Sequence, residues 1–457
     1  MKKFLFICFV SIILVSMILP ACAAPKVDVI KVGVIGPMKF MEGENHWNGA
    51  VLARDEINAA GGVDLNGKKY QIELIKADSN EILNPTEAAS AMERLITVDK
   101  PDFVVGGFRT EGVLPMQEVA MDYKKIFLNC GAATRALQAK VETNYDRYKY
   151  FFKVTPYNEY FLVATDFKLL SMVAAILKKE LNIPATEKLR VAIVAEKLTW
   201  ADAMVTAAQA NIPKMGMEVT GTWRPSDTAT DVNAELTAIA ATNPHIIFPT
   251  FSGPVGVTFG KQAGEMQIPA AIVGIVVEAQ KEGYWEATGG KGNYVMTLNT
   301  YADGVAVTEK TLPFLAKYKK QFGQVPSYTA VTYDAILMMK GIIEKAQSLD
   351  PDVLVPLIEK SEYLSTAGLI KYYPVGPDTK APACPHDIMY GPGLTTGVGV
   401  QWQNGALKGV WPAKGIGTGG FENLDYPGIV PYIIPPAVIQ KFKQPAVAPA
   451  VTPPATK

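Results

Sequence analysis

The sequence predicts an α/β protein made of two doubly wound, Rossmann-like lobes with parallel sheets. Three observations predict it. Strand-like apolar runs alternate with amphipathic helix patterns from residue 27 onward. That rhythm restarts after Pro156. The two halves also rhyme: residues 93–107 (ERLITVDKPDFVVGG) and 236–250 (LTAIAATNPHIIFPT) each read helix, Pro, buried strand and small-residue loop. A βαβα order places parallel strands under helices on both faces.

The elements follow in order. Residues 27–36 read as a strand that stops at Gly36-Pro37. Residues 48–60 read as a helix, with Ala50, Ala53 and Ile57 on one face and Gly61-Gly62 as its stop. Residues 70–77 alternate as a second strand. Asn84-Pro85-Thr86-Glu87 predicts a helix start, with Asn84 capping and Glu87 completing a capping box. A short strand at 103–105 runs into Gly106-Gly107, a helix follows at 114–123, and a strand at 126–128.

In the second half, helices are expected at 161–181, 201–215, 231–241 and 255–267. Strands are expected at 190–195, 217–223, 246–248 and 271–275. Residues 328–346 read as one long amphipathic helix. Residues 398–402 and 407–411 read as a hairpin turning at Asn404-Gly405.

Composition limits the function. Hydrophobic content is 49% and formal net charge is +0, so the chain is globular and lacks the basic footprint that nucleic acid requires. Lys2 and Lys3, an apolar run to Leu19 and then Pro20-Ala21-Cys22-Ala23-Ala24 make an export signal over residues 1–23. Leu19-Pro20-Ala21-Cys22 fits lipidation at Cys22, which would anchor the protein to a membrane; Ala21-Cys22-Ala23 fits an ordinary cleavage that would release it. No second long apolar run is expected. The body keeps Cys130 and Cys384, read as two separate small buried residues, with a disulfide between them left open. Three His without metal-ligand spacing argue against zinc, and no cofactor is expected. Residues 415–420 (GIGTGG) read as a turn, and the Pro/Ala-rich 444–457 as a disordered tail.

The chain shows no nucleophile elbow, P-loop or kinase set, which points to binding rather than catalysis. In a parallel α/β sheet, ligands gather at the carboxyl ends of strands. The loops there are 106–110 and 129–134 in the first lobe, and 250–253 and the segment near Glu278 in the second. An enzymatic alternative would have to draw on Glu278, Asp202 and His46.

Those loops carry a pattern. Lys31-Val32-Gly33-Val34-Ile35-Gly36-Pro37, Asn48-Gly49-Ala50, Glu56-Ile57-Asn58, Val105-Gly106-Gly107, His386-Asp387, Gln401-Trp402-Gln403-Asn404-Gly405 and Trp411-Pro412 occur in this order. With them the chain resembles the Leu/Ile/Val-type substrate-binding proteins of ABC transporters, a type I periplasmic binding protein family. The resemblance implies lobe 1 from 27–153 plus 301–369 and lobe 2 from 154–300 plus 370–435. Three crossovers, near 152–156, 297–301 and 368–373, would join them. It implies a monomer that traps a small polar solute, such as an amino acid, amide or organic acid, and hands it to a permease; a sensor of the same fold is the alternative.

The resemblance also implies the ligand contacts. Thr110 would hold the ligand carboxylate, with Ala132 and Thr134 giving backbone and hydroxyl contacts. Phe251 or Ser252 would lie beside the ligand, and Glu278 would take its ammonium. Arg109 departs from the usual small residue and would pair with a second carboxylate or lie on the surface. Trp200 stands where Tyr is common and would give the pocket a flat wall. Tyr157 and Trp47 are further candidate walls. His386 and Trp402 mark the family without being expected contacts.

Overall fold

The computed structural model describes residues 28–415 and 420–445. The export signal with Cys22, most of the glycine-rich turn and most of the tail lie outside the described residues. The first sheet is built from β1 (Val29–Gly36), β2 (Val63–Leu65), β3 (Lys68–Asp78), β4 (Phe103–Gly106), β5 (Phe127–Asn129) and β6 (Phe151–Lys153), in the order β2-β3-β1-β4-β5-β6. All its pairings are parallel except the β2–β3 hairpin. Around it run α1 (Met41–Ala59), α2 (Glu87–Arg94), α3 (Thr110–Asp122), α4 (Arg135–Thr143) and α5 (Tyr145–Tyr148).

The second lobe repeats the plan. It contains α6 (Glu159–Glu180), β7 (Arg190–Ala195), α7 (Thr199–Asn211), β8 (Glu218–Trp223), α8 (Asn233–Ala241), β9 (Ile246–Phe251), α9 (Val255–Glu265), β10 (Ala271–Val276), α10 (Gly283–Ala287) and β11 (Met296–Asn299). The chain then returns to the first sheet. α11 (Thr311–Phe322), α12 (Thr332–Ala346) and α13 (Pro351–Glu359) precede a small hairpin, β12 (Glu362–Ser365) and β13 (Gly368–Lys371). α12 packs on α1, where the Thr332 hydroxyl donates to the His46 carbonyl at 2.7 Å. Finally β14 (Val398–Gln403) and β15 (Ala406–Trp411) join the second sheet, and α14 (Pro436–Phe442) follows. That sheet runs β15-β14-β11-β10-β9-β7-β8.

Several expectations need correction. The second sheet is mixed, not purely parallel, because β14 pairs antiparallel with both β11 and β15. The first helix starts at Met41, seven residues before its expected start, because its opening turns bury Glu42, Asn45 and His46 rather than apolar side chains. The predicted capping box does not form. Thr86 is the cap residue without a side-chain cap bond, while Asn80 and Asn84 donate their side-chain amides to the Glu87 carboxylate. Residues 328–331 form a 3₁₀ turn ahead of α12 rather than its first turn. A second long apolar run does exist: α6 is long and apolar enough to cross a membrane, yet half of it is buried in the second lobe. Burial against protein explains its composition as that of a core helix.

The Asn404-Gly405 turn forms as expected, with both residues at positive φ between β14 and β15. Cys130 and Cys384 are both buried and free.

Candidate functional site

In each sheet the strand order reverses beside a central strand: β3-β1-β4 in the first and β8-β7-β9 in the second. Crossovers leave such a switch point in opposite directions, so a crevice opens at the strand ends. The two crevices face one another over a cavity of about 90 Å³. Its first wall comes from the end of β4. Gly106 has φ +121°, and a Cβ there would lie 2.0 Å from the Ile35 carbonyl oxygen, so only glycine lets this loop cross β1.

Glu81 fixes the loop. Its carboxylate accepts the amide of Phe108 at 3.2 Å and that of Arg109 at 2.8 Å, with the Ser79 hydroxyl at 2.9 Å. Burial pushes the Glu81 carboxyl up to about 7, against the pull of those hydrogen bonds. The folded protein therefore holds this proton between pH 4.5 and 7, where the unfolded chain has released it. Glu81 is thus expected to make stability fall as pH rises through that window. In Glu81→Gln that decline should disappear, and the stability difference from wild type should drift by about 3 kcal/mol. Urea unfolding across that range measures it; a flat difference would mean an ordinary, unshifted carboxyl.

Arg109 is buried at 4% exposure and lines the cavity. Its Nη1 donates to Asp227 Oδ2 of the second lobe at 2.9 Å and to the Ile82 carbonyl at 3.3 Å. The alternative of a surface position is thus overturned, and the carboxylate Arg109 meets belongs to the protein. Its Nε and Nη2 have no partner, nor does the buried Thr110 hydroxyl that opens α3. In the neighbouring loop, Asn129 donates to the Ala132 carbonyl at 2.7 Å and accepts the amides of Gly131 and Ala132. Gly131 and Ala133 reach the cavity; Ala132 and Thr134 are not among its lining residues. The Thr134 hydroxyl instead caps α4, accepting the Ala136 amide at 3.2 Å.

The second wall centres on Glu196, at the end of β7. One oxygen accepts the Ser252 amide at 2.8 Å, the Ser252 hydroxyl at 2.5 Å and the Trp200 indole N–H at 2.7 Å. Ser252 and Trp200 both line the cavity, and Glu196 is what orients them. Phe251 does not line it; it is wholly buried, 5.1 Å from Phe259 within the second lobe. Glu278 is also outside the lining, and Lys281 pairs with it at 3.0 Å. Lys281 in turn makes a salt bridge to Glu42 of the first lobe. Burial acts to lower the Lys281 pKa, but Glu42 and Glu278 hold it above the usual lysine range.

The crossovers complete the enclosure. Val154 to Tyr157, Leu298 to Thr300, and Ala367 with Ile370 line it, as does Tyr328. Trp47 is elsewhere, under the Lys76 ammonium at 4.7 Å. His386 stacks on Phe152 and meets Glu359 at 2.8 Å, while the Trp402 indole donates to the Ala279 carbonyl; both brace the frame. His46 contacts the Cys130 carbonyl and Asp202 pairs with Arg224, so the three residues of the enzymatic alternative have separate partners. Among the described residues no group of three or more His, Cys, Asp and Glu could hold a metal.

Sequence reasoning missed Glu196, Asp227, Lys281 and Tyr328. Glu196 had a readable signal, an acid directly after a buried strand with Trp200 four residues on; the others had none.

Two doubly wound lobes meeting over a cavity at their switch points are the architecture of a two-lobed substrate-binding protein. The chain belongs to the periplasmic binding protein family, whose profile matches residues 29–383. It is 26% identical over 365 residues to an amino acid binding protein of Pseudomonas aeruginosa, covering 77% of this chain and 87% of that one. Its fold is similar to the branched-chain amino acid transporter substrate-binding protein LivJ of Streptococcus pneumoniae, solved with isoleucine (TM-score 0.67, 21% identity, 84% and 99% covered). It is also similar to an ABC transporter solute-binding protein of R. palustris solved with benzoate (TM-score 0.64, 16% identity, 83% and 95% covered). These proteins are binding proteins, not enzymes, and so is this one.

Proposed function

We propose that the protein is an extracytoplasmic receptor that captures a small organic solute between its lobes and delivers it to an ABC permease. The observation that carries this reading is the cavity itself, walled by both switch points, with Arg109–Asp227 and Lys281–Glu42 pairing residues of opposite lobes. Both ion pairs join the lobes, so they form only when the lobes close. The lobes are taken as 27–153 plus 301–369 and 154–300 plus 370–435, with hinges at the three crossovers. Thr110, Arg109, Ser252 and Trp200 are the proposed ligand contacts, and export with a lipid anchor at Cys22 fits the role. Relatives named for amino acids and a neighbour solved with benzoate bracket the solute class.

A solute that binds only the folded state should stabilise it by about 2.7 kcal/mol at a hundredfold excess over Kd. A thermal-shift screen of unfolded and refolded protein against amino acids, amides and organic acids tests this. The receptor reading fails if none of these solutes raises the melting temperature.

A further inference from the structure

We infer that Asp334 is a positioning residue for the cavity, holding through Thr366 two wall segments that lie far apart in sequence. The inference rests on the receptor reading above and deepens it, because Asp334 does not itself line the cavity.

The first argument is geometry. Asp334 stands in the first turn of α12 and is wholly buried, as is Tyr301. One carboxylate oxygen accepts the Thr366 amide at 3.0 Å, and the other accepts the Thr366 hydroxyl at 2.5 Å. A hydroxyl donates one proton and keeps lone pairs that accept. With its proton on Asp334, the Thr366 hydroxyl accepts from Tyr301, 65 residues away, at 2.7 Å. The chain therefore runs one way, from Tyr301 to Thr366 to Asp334. Thr366 lies in the turn between β12 and β13, flanked by Ser365 and Ala367, which line the cavity. Tyr301 follows Leu298, Asn299 and Thr300, which line it too as the chain leaves β11. Two stretches of wall thus depend on one carboxylate of a helix that packs on α1.

The second argument is charge. An ionised acceptor makes the stronger hydrogen bond, and linked hydroxyls polarise one another. Burial pushes the Asp334 carboxyl up to about 6, against the Thr366 bonds and the pull of Lys310 and Tyr363. Lys310 acts from a distance, since its ammonium donates to the Leu364 carbonyl at 2.6 Å. The other groups that face Asp334 are Tyr301, Tyr333, Tyr363 and Cys130. Burial lifts each above its usual range, so all stay neutral between pH 5 and 8. On α1, burial lowers His46 to about 4, below the same window. A proton on Asp334 places a donor where the Thr366 hydroxyl needs an acceptor. The chain must then reverse, and the Tyr301 proton loses Thr366, the partner its hydroxyl has among the described residues.

The test is hydrogen exchange of the purified protein, corrected for the intrinsic effect of pH, in peptides covering 296–303 and 362–371. In wild type both should exchange at least about tenfold faster at pH 5 than at pH 8. Asp334→Asn keeps an acceptor for the Thr366 amide without the charge, and should show the fast rates at both pH values. Glu81 titrates in the same range but holds residues 108 and 109, so Asp334→Asn separates the two. Tyr301→Phe should free 296–303 alone at pH 8, and the double variant should add little, because one chain is cut twice. Calorimetry at pH 8 with isoleucine and benzoate gives the readout that a merely structural residue would not move. Whichever solute binds wild type should bind each variant at least about tenfold more weakly, with the number of sites unchanged. If Asp334→Asn does not fold, Tyr301→Phe and the wild-type pH effect decide. A pH effect that survives in Asp334→Asn, or affinity unchanged in both variants, would overturn the inference and leave the receptor standing. Binding of neither solute would count against the receptor reading, while exchange still decides the tie.

Discussion

Replacing Lys281 by Met should destabilise the closed protein by about 3–5 kcal/mol at neutral pH, the range for removing one partner of a buried ion pair. Lys281 is 3% exposed and lies between Glu42, at 1%, and Glu278. Without it two carboxylates remain in a low-dielectric seam with no paired cation, only the more distant charge of Arg109 on Glu278. The large term is that desolvation, not the lost attraction. Two consequences separate this from a simple packing defect. The penalty should shrink as pH falls, because the orphaned carboxyls can take up protons that the unfolded chain, with its ordinary pKa values, does not yet bind. And Glu42→Gln with Lys281→Met should recover part of the loss, since fewer charges are then stranded. Urea unfolding of both variants at pH 5 and 8 measures this. A loss independent of pH, or a double variant worse than the single, would mean that the lysine stem matters rather than its charge.

How much of this was legible in the sequence follows from which interactions are local. β7 was bounded to the residue, because six residues of buried strand between turn signals leave little latitude. β6 and β11 are three and four fully buried residues without alternation, like β4 and β5, but lack the glycine signal that follows those two at Gly106-Gly107 and Gly131. The opening of α1 was missed because its buried face is polar: Asn45 accepts the Tyr318 hydroxyl at 2.8 Å and the Ser327 amide at 3.0 Å. A hydrophobic period cannot report such a face.

The loops of the site were legible, since topology puts ligands at strand ends. The roles within them were less so. Thr134 and Phe251 lie in the loops that were singled out, yet neither lines the cavity: one caps a helix and the other fills a core. Arg109 and Asp227 are 118 residues apart, and Glu42 and Lys281 belong to different lobes. Pairings between lobes have no local signature, so the electrostatics of the seam became visible only in three dimensions.

The second large effect is expected where the chain leaves the first sheet, from Lys153→Met. Lys153 ends β6, where the chain leaves the first lobe, and its side chain is wholly buried. Its ammonium donates to the Ala133 carbonyl at 2.9 Å and lies 4.0 Å from the equally buried Asp387. Its backbone amide donates to the His386 carbonyl at 3.0 Å, so two crossing segments are tied at one residue. Burial lowers the Lys153 pKa and raises that of Asp387, each opposed by the other's charge.

Methionine matches the stem and removes the cation, leaving Asp387 with the Asn158 amide at 2.8 Å and backbone donors only. The expected cost is about 3–5 kcal/mol at pH 7–8. It should be smaller near pH 5, where a buried, unpaired Asp387 can hold a proton that the unfolded chain releases. Lys153→Met with Asp387→Asn strands fewer charges, leaving only the buried Glu159 carboxyl without the Lys153 cation, and should stand closer to wild type than the single variant. The ammonium also fixes the loop at Ala133, which reaches the cavity, so the double variant should still lose solute affinity while regaining stability. Equal stability of single variant and wild type, or full affinity in the double, would show that Lys153 is a passive core residue and that this segment does not position the site.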